Sequence, residues 1–334
     1  MQQVLIWRND RIEADDSLQN LADTIQDSKA VTWLDLYIPD TQNVQNDLAK
    51  YREFLAQEFQ LTDLILDTIA EERERSKLVQ QRNYFYLIVH SFEFNLQEET
   101  AQVHKLDIIF GHNYLITIHR APLPWLDQLI AETRNDQPDD NIMGKGMARM
   151  LHLVLDTLVD SYFSILDTLD DTINDMEDSI VEKSDNTVQA RVFRMKRAVA
   201  YLRRVVSPQI EAVNALVTRT NGFIPREDEP YFADVHDHLI RVFEVLDSSR
   251  DLMSSMVDVY LTTISNRQNE IMKQLAIIAT IFLPITFITG VFGQNFAHSP
   301  QVEHDLGYNF WIVLIFMGIV TIAQLLYFRY RKWL

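Results

Sequence analysis

The side chains best suited to chemistry in this 334-residue chain lie in one short polar stretch, Phe292-Gly293-Gln294-Asn295-Phe296. Gly293 can present its backbone carbonyl closely, and Gln294 and Asn295 offer neutral amide oxygens. Such groups suit a hydrated divalent cation. Magnesium gives up its waters reluctantly, so acceptors that bond to its hydration shell can select it without dehydration. Glu303 and Asp305, further along the same stretch, would concentrate cations there.

Two further patterns bear on cations. Asn269, Met272, Ala276, Ala279, Leu283, Thr286 and Gly290 recur every three or four residues and share one face of a helix. Small residues on such a face make a helix–helix interface in membranes. The same face could instead wall a pore, narrowed by Met and Leu and wetted by Thr and Asn. Spacing alone leaves both readings open. Asp156, Asp160, Asp167, Asp171, Asp175 and Asp178 also follow helical spacing. They form either a solvated face or one that meets cations or the basic end of the chain.

The elements that hold the polar stretch are two apolar runs. Leu275 to Val291 and Phe310 to Phe328 carry no charge, and each is about long enough to cross a bilayer as a helix. Joined by a short loop, they predict a transmembrane hairpin, the first helix over about 271–291, the loop over 293–309 and the second helix over about 310–328. Arg267 and Lys273 precede the first run, and Arg329, Arg331 and Lys332 follow the second; the loop has neither Lys nor Arg. The positive-inside rule then puts both termini in the cytoplasm and only the loop outside. The apolar stretch at Met1 to Asp10 is too short for a signal peptide, so the first span is expected to direct insertion.

The remainder divides into a mixed α/β domain over 1–140 and a helical stalk over 141–270, with the hairpin at 271–334. Val31–Ile38, Tyr84–Phe94, His104–Phe110 and Tyr114–Ile118 read as strands, the last two joined by a turn at Gly111-His112-Asn113. Val44–Phe59 and Leu61–Glu74 carry helical spacing. Met147–Val181 and Val188–Thr218 are long helical patterns, the second interrupted at Pro208. A third starts near Pro230 and, if continuous to Val291, is on the order of 90 Å long. Such a helix should bundle with copies of itself.

Composition removes other classes. A net charge of −18 argues against a nucleic-acid partner. With no cysteine, neither a disulfide nor a thiolate metal site can form. There is no phosphate loop to drive transport with ATP, and no nucleophile constellation of an enzyme. A membrane potential supplies about 2.3 kcal/mol per charge per 100 mV, so passive influx of a divalent ion needs no other engine.

The end of the chain resembles the CorA family of two-helix divalent cation channels, whose signature at this place is Gly-Met-Asn. The likeness extends through Tyr231-Phe232, Asp234-Val235, Arg250-Asp251, Asn269-Glu270, Met272-Lys273, Ile278-Ala279-Thr280-Ile281-Phe282, Pro284 and Lys332-Trp333-Leu334. The resemblance implies a funnel-shaped homopentamer in the plasma (inner) membrane, with first spans around one pore. It implies an outer selectivity ring at Gly293 and Asn295 and pore rings at Asn269, Met272, Leu275, Leu283 and Thr286. It further implies a regulatory divalent site at Asp234, for which Glu93, Asp237 and His238 are candidate companions, and a Mg2+ cargo that also closes the gate. Gln294 replaces the family's Met, and Ser299-Pro300-Gln301-Val302 departs from its Met-Pro-Glu-Leu loop. The zinc-transporting ZntB branch also replaces that Met, and His236, His238, His298 and His304 are of a type that suits Zn2+. Zn2+, Co2+ or Ni2+ transport, with or without proton coupling, is therefore the alternative, and a non-conducting metal sensor or scaffold is the other.

Overall fold

The computed structural model describes residues 2–9, 11–14, 21–27, 29–39, 44–135, 141–182, 186–219, 223–293, 306–331 and 333. The chain divides into two compact units, Met1–Val257 and Asp258–Leu334.

In the first unit, strands β1 (Gln2–Arg8), β2 (Arg11–Ala14), β3 (Val31–Tyr37), β4 (Lys77–Gln80), β5 (Phe85–Asn95), β6 (Thr100–Phe110) and β7 (Tyr114–His119) form one sheet in the order β2-β1-β3-β7-β6-β5-β4. Only β3 and β7 pair in parallel, Thr32 opposite Tyr114 through Tyr37 opposite His119. β7 and the first eight residues of β5 are buried throughout, without the alternation of a half-exposed strand. Continuous burial means cover on both faces. On one face, α1 (Leu21–Gln26), α2 (Val44–Glu58) and α3 (Asp63–Ala70) pack Leu21, Leu55, Ile65 and Ile69 against Val4, Leu34, Tyr86 and Ile116. On the other, α5 (Met147–Glu182) sets Tyr162 flat against Phe92 at 3.9 Å, and the Tyr162 hydroxyl donates to the His90 carbonyl. α6 (Asn186–Arg219) is tied to the turn between β5 and β6 by Arg191 and Arg194, which bond the buried Glu99 carboxylate at 2.6 and 3.0 Å.

Strands at Val31, Tyr84 and Tyr114 lie where the alternation predicts them. β1, β2, β4, α1 and α4 (Pro124–Arg134) add to that reading. The helix expected over Leu61–Glu74 stops at Ala70, where Glu71 turns extended (φ −85, ψ 129). The following Glu-Glu-Arg-Glu-Arg run offers nothing apolar to bury, so another turn would gain no packing. Pro208 does not interrupt α6, which runs through it. The ring removes one backbone bond, at about 3 kcal/mol in an isolated helix. Burial of Val206, Ala212, Val213 and Leu216 on the same helix offsets that loss.

α7 (Glu229–Phe292) is a single helix of 64 residues, about 96 Å at the standard rise, that begins in the first unit and ends in the second. Its start is pinned to α5 by Arg149, which bonds Asp228 at 2.6 Å and lies 3.5 Å over the Tyr231 ring. The second unit is completed by α8 (Leu306–Tyr330), apolar on all sides. Two helices are thus long and apolar enough to span a membrane, and their large side chains are left mostly uncovered by the chain itself. A soluble protein would bury such surface.

Candidate pore face and metal-binding cluster

The apolar part of α7 has two unlike sides. Ile277 is buried, and Ile281, Pro284, Ile285 and Ile288 are half-buried, forming one stripe at helical spacing. At about 100° per residue, the stripe of Met272, Leu275, Ala276, Ala279, Leu283, Thr286 and Gly290 lies on the opposite side. Every one of these is exposed, with Met272, Leu275 and Leu283 at 68, 65 and 70%. Asn269, one turn before, is exposed as well. The face picked out by residue type is therefore among the faces that the chain's own packing leaves free, together with Ile278, Phe282 and Phe287.

Polar groups within the spans are settled locally. Thr280 and Thr289 donate their hydroxyls to the carbonyls of Ala276 and Thr286 at 2.7 and 2.9 Å. The Thr286 hydroxyl has no such bond among the described residues and stays on the open face. Pro284 has no N–H, so the carbonyl four residues earlier, that of Thr280, lacks its helical donor. Gln324 of α8 supplies one: its Nε2 donates to the Thr280 carbonyl at 3.1 Å. That cross-helix bond was not foreseen, although both of its causes, Pro284 and a lone amide in the second span, are visible in the sequence.

At the end of α7, Gly293 donates its N–H to the Thr289 carbonyl at 2.8 Å. A Cβ there would stand 2.9 Å from the same oxygen, closer than real Cβ atoms come, so the close approach requires glycine. Gln294, Asn295, His298, Glu303, His304 and Asp305 lie outside the described residues.

A second cluster forms in the first unit, where α5 faces the start of α7. Ligand atoms of Asp156, Asp160 and His238 all lie within 4.8 Å of one another. Asp234, one turn before His238, places its carboxylate 3.9 Å from the His238 Nε2. The His238 Nδ1 is buried with no hydrogen-bond partner among the described residues. Burial raises the Asp156 pKa, His152 opposes the rise, and Asp160 adds to it. Burial lowers that of His152, against the pull of Asp156. Carboxylates and imidazoles gathered in this way match the donors of a divalent metal. Asp237 points off as an exposed side chain beside His236, at 3.5 Å. Glu93 is exposed on β5 opposite Gln102 and is not part of the cluster. The rest of the acidic row, Asp167, Asp171, Asp175 and Asp178, is exposed and forms no ion pair among the described residues.

Two helices long and apolar enough to span a membrane, in a chain that also carries a sheet-and-helix unit with a carboxylate–imidazole cluster, define a class of ion-transporting membrane protein. The family model for the CorA-like Mg2+ transporter protein matches residues 28–331, and the chain belongs to that family. It is therefore a divalent cation transporter of the membrane and not an enzyme. It is 30% identical to the cobalt/magnesium transport protein CorA of Thermotoga maritima, over 92% of this chain and 85% of that one. At lower identity it resembles the zinc transport protein ZntB of Photorhabdus laumondii, 23% over 82% of each. The fold matches the complete structure of the CorA magnesium transporter from Methanocaldococcus jannaschii with a TM-score of 0.82 and 20% identity, covering 100% of this chain and 99% of the other.

Proposed function

We propose that five copies of this chain surround one axial pore and admit Mg2+ into the cell, driven by the membrane potential. The observation that carries this reading is the exposed stripe of α7 opposite its half-buried stripe. Surrounded by lipid alone, the Thr286 hydroxyl would be left without a partner at membrane depth, which is costly. Around a shared axis it faces water, as does Asn269 just before the span. Met272, Leu275 and Leu283 then form apolar constrictions that close by excluding water. Ala276, Ala279 and Gly290 leave width between them.

Gly293, Gln294 and Asn295 form the outer ring, where uncharged oxygens receive the hydrated ion, and Glu303 and Asp305 draw cations to it. Both termini lie in the cytoplasm, and lipid covers the outer faces of the spans. Asp234, with Asp156, Asp160 and His238, binds the divalent ion that holds the pore shut when cytoplasmic metal is plentiful; Glu93 of an adjacent copy is a candidate companion. A stoppered influx valve of this kind lets the ion limit its own entry.

His238 within the cluster is the structural observation on the side of zinc, since imidazole suits Zn2+ better than Mg2+. Uptake into vesicles loaded with a fluorescent indicator, with Mg2+, Zn2+, Co2+ and Ni2+ in competition and with or without a pH gradient, separates the readings. Mg2+ flux that needs no pH gradient, and that Asn295→Ala abolishes while the oligomer persists, is the expected outcome. Flux of Zn2+ alone would move the assignment to zinc. Absence of flux for all four metals would leave a sensor or scaffold.

A further inference from the structure

The first unit contains a cavity of about 850 Å3 between the sheet, the segment after α3 and the middle of α6. Its wall carries Arg73, Arg75, Lys105, Arg120 and Arg204 against Glu72, Glu74 and Asp107. A hollow of about 460 Å3 shares Arg75 and Arg204 with it and adds Arg203 and Arg250 against Glu211. Seven cations to four carboxylates thus line these two adjoining hollows of a chain whose net charge is −18, with Arg203 and Arg250 already paired to Asp247 at 2.6 and 3.2 Å. Cations gathered there create a local positive potential against an acidic background.

These cations are not alike. Lys105 donates to the carbonyls of Thr68 and Glu71 at 2.7 and 2.8 Å and stands 3.1 Å from Asp107. Arg120 donates to the carbonyls of Ile69 and Ala70 at 3.2 and 2.5 Å. Both are engaged in holding the end of α3 against the sheet. The side chains of Arg73, Arg75 and Arg204 make no ion pair or hydrogen bond among the described residues. They meet at one cavity from two elements far apart in sequence. His119 lies in the same wall: its Nδ1 is 2.6 Å from the Ala121 carbonyl and its Nε2 3.4 Å from the Asp35 carboxylate. Burial works against charge on the ring, but Asp35, through its hydrogen bond and its charge, and the Ala121 carbonyl together outweigh it, and the His119 pKa is raised.

Three free guanidinium forks suit an anion with several oxygens, since each fork can make paired charge-assisted bonds to phosphate. The volume lies in the range of small-molecule pockets. Ile38, Ile69, Val103 and Ile118 give it an apolar side, and Tyr201 stands exposed at its rim. We propose that this cavity binds a small phosphate-bearing anion through Arg73, Arg75 and Arg204. The anion is either a bare polyphosphate or a nucleotide, and Tyr201 distinguishes them by lying where a base would stack.

The test is calorimetric titration of the full-length protein in detergent with inorganic phosphate, pyrophosphate and ATP. It is run at one ionic strength, and after removal of divalent metal by chelator, so that metal stripping by the probe cannot mimic binding. Saturable binding of pyrophosphate or ATP is expected. The combined Arg73→Gln, Arg75→Gln and Arg204→Gln variant should weaken it by at least about tenfold, one charged contact's worth. Arg226→Gln, at an exposed loop position outside the cavity, should not weaken it. Equal affinity for pyrophosphate and ATP identifies polyphosphate recognition. Tighter binding of ATP that Tyr201→Ala reduces identifies a nucleotide. The proposal is overturned if no probe binds saturably, or if the triple variant binds as wild type. It is equally overturned if wild type binds none and the triple variant instead dissociates the oligomer, which would give these arginines to a contact between copies. Circular dichroism of the variants checks that the fold persists.

Discussion

At the scale of the residue, the cluster of Asp156, Asp160 and His238 shows what a sequence can and cannot disclose. Asp234 was legible because it lies within a resembling string, and the acidic row on α5 was legible from its spacing. That Asp156 and Asp160 meet His238 was not, because nothing in local periodicity brings two elements some eighty residues apart together. The structure also sorts the row: its first two members have an imidazole opposite them, whereas the members after Asp160 remain exposed. A metal held by this cluster should stabilise the folded first unit by mass action. His238→Ala, or Asp156→Asn, removes one ligand and should weaken the protection from protease given by added Mg2+ by roughly tenfold in metal concentration. Asp178→Asn, in the solvated part of the row, should leave protection as it was. If all three variants behave alike, the cluster is only part of an acidic surface.

At the scale of the element, the strands buried on both sides were read from their β-branched and aromatic runs. β2 and β4 escaped because four-residue edge strands with mixed polarity carry too little pattern. Both membrane helices were legible from length and charge. The link between them was not, since it depends on a rotation of α8 that an all-round apolar helix does not encode. That link rests on a defect: Pro284 strips the Thr280 carbonyl of its donor, and Gln324 restores one. Gln324→Leu should therefore destabilise the hairpin by about 1 kcal/mol, the usual scale of a polar bond between membrane helices. Pro284→Ala gives Thr280 its own helical donor. In that background Gln324→Leu should cost almost nothing, so thermal unfolding of the four proteins forms a double-mutant cycle. Equal costs in both backgrounds would mean that Gln324 acts through packing alone.

At the scale of the whole molecule, the question is what covers the surfaces that the second unit leaves open. Lipid suits Ile278 and Phe282. It does not suit the Thr286 hydroxyl, for which the described residues hold no partner. In the proposed assembly, several copies about an axis would resolve the mismatch by turning the stripe that carries Thr286 inward and Ile278 outward. Because the chain has no cysteine, a single introduced thiol reports its own surroundings. Leu283→Cys lies on the open stripe and should yield disulfide-linked dimers on mild oxidation, since thiols facing one axis approach each other as the helices move. Ile285→Cys lies on the half-buried stripe and should stay monomeric on the same gel. Ile278→Cys, exposed but on another side, provides the lipid-facing control. Dimers from Ile278→Cys and none from Leu283→Cys would turn the small-residue stripe away from the axis. Those residues would then be a contact between helices, and the pore would need a different wall.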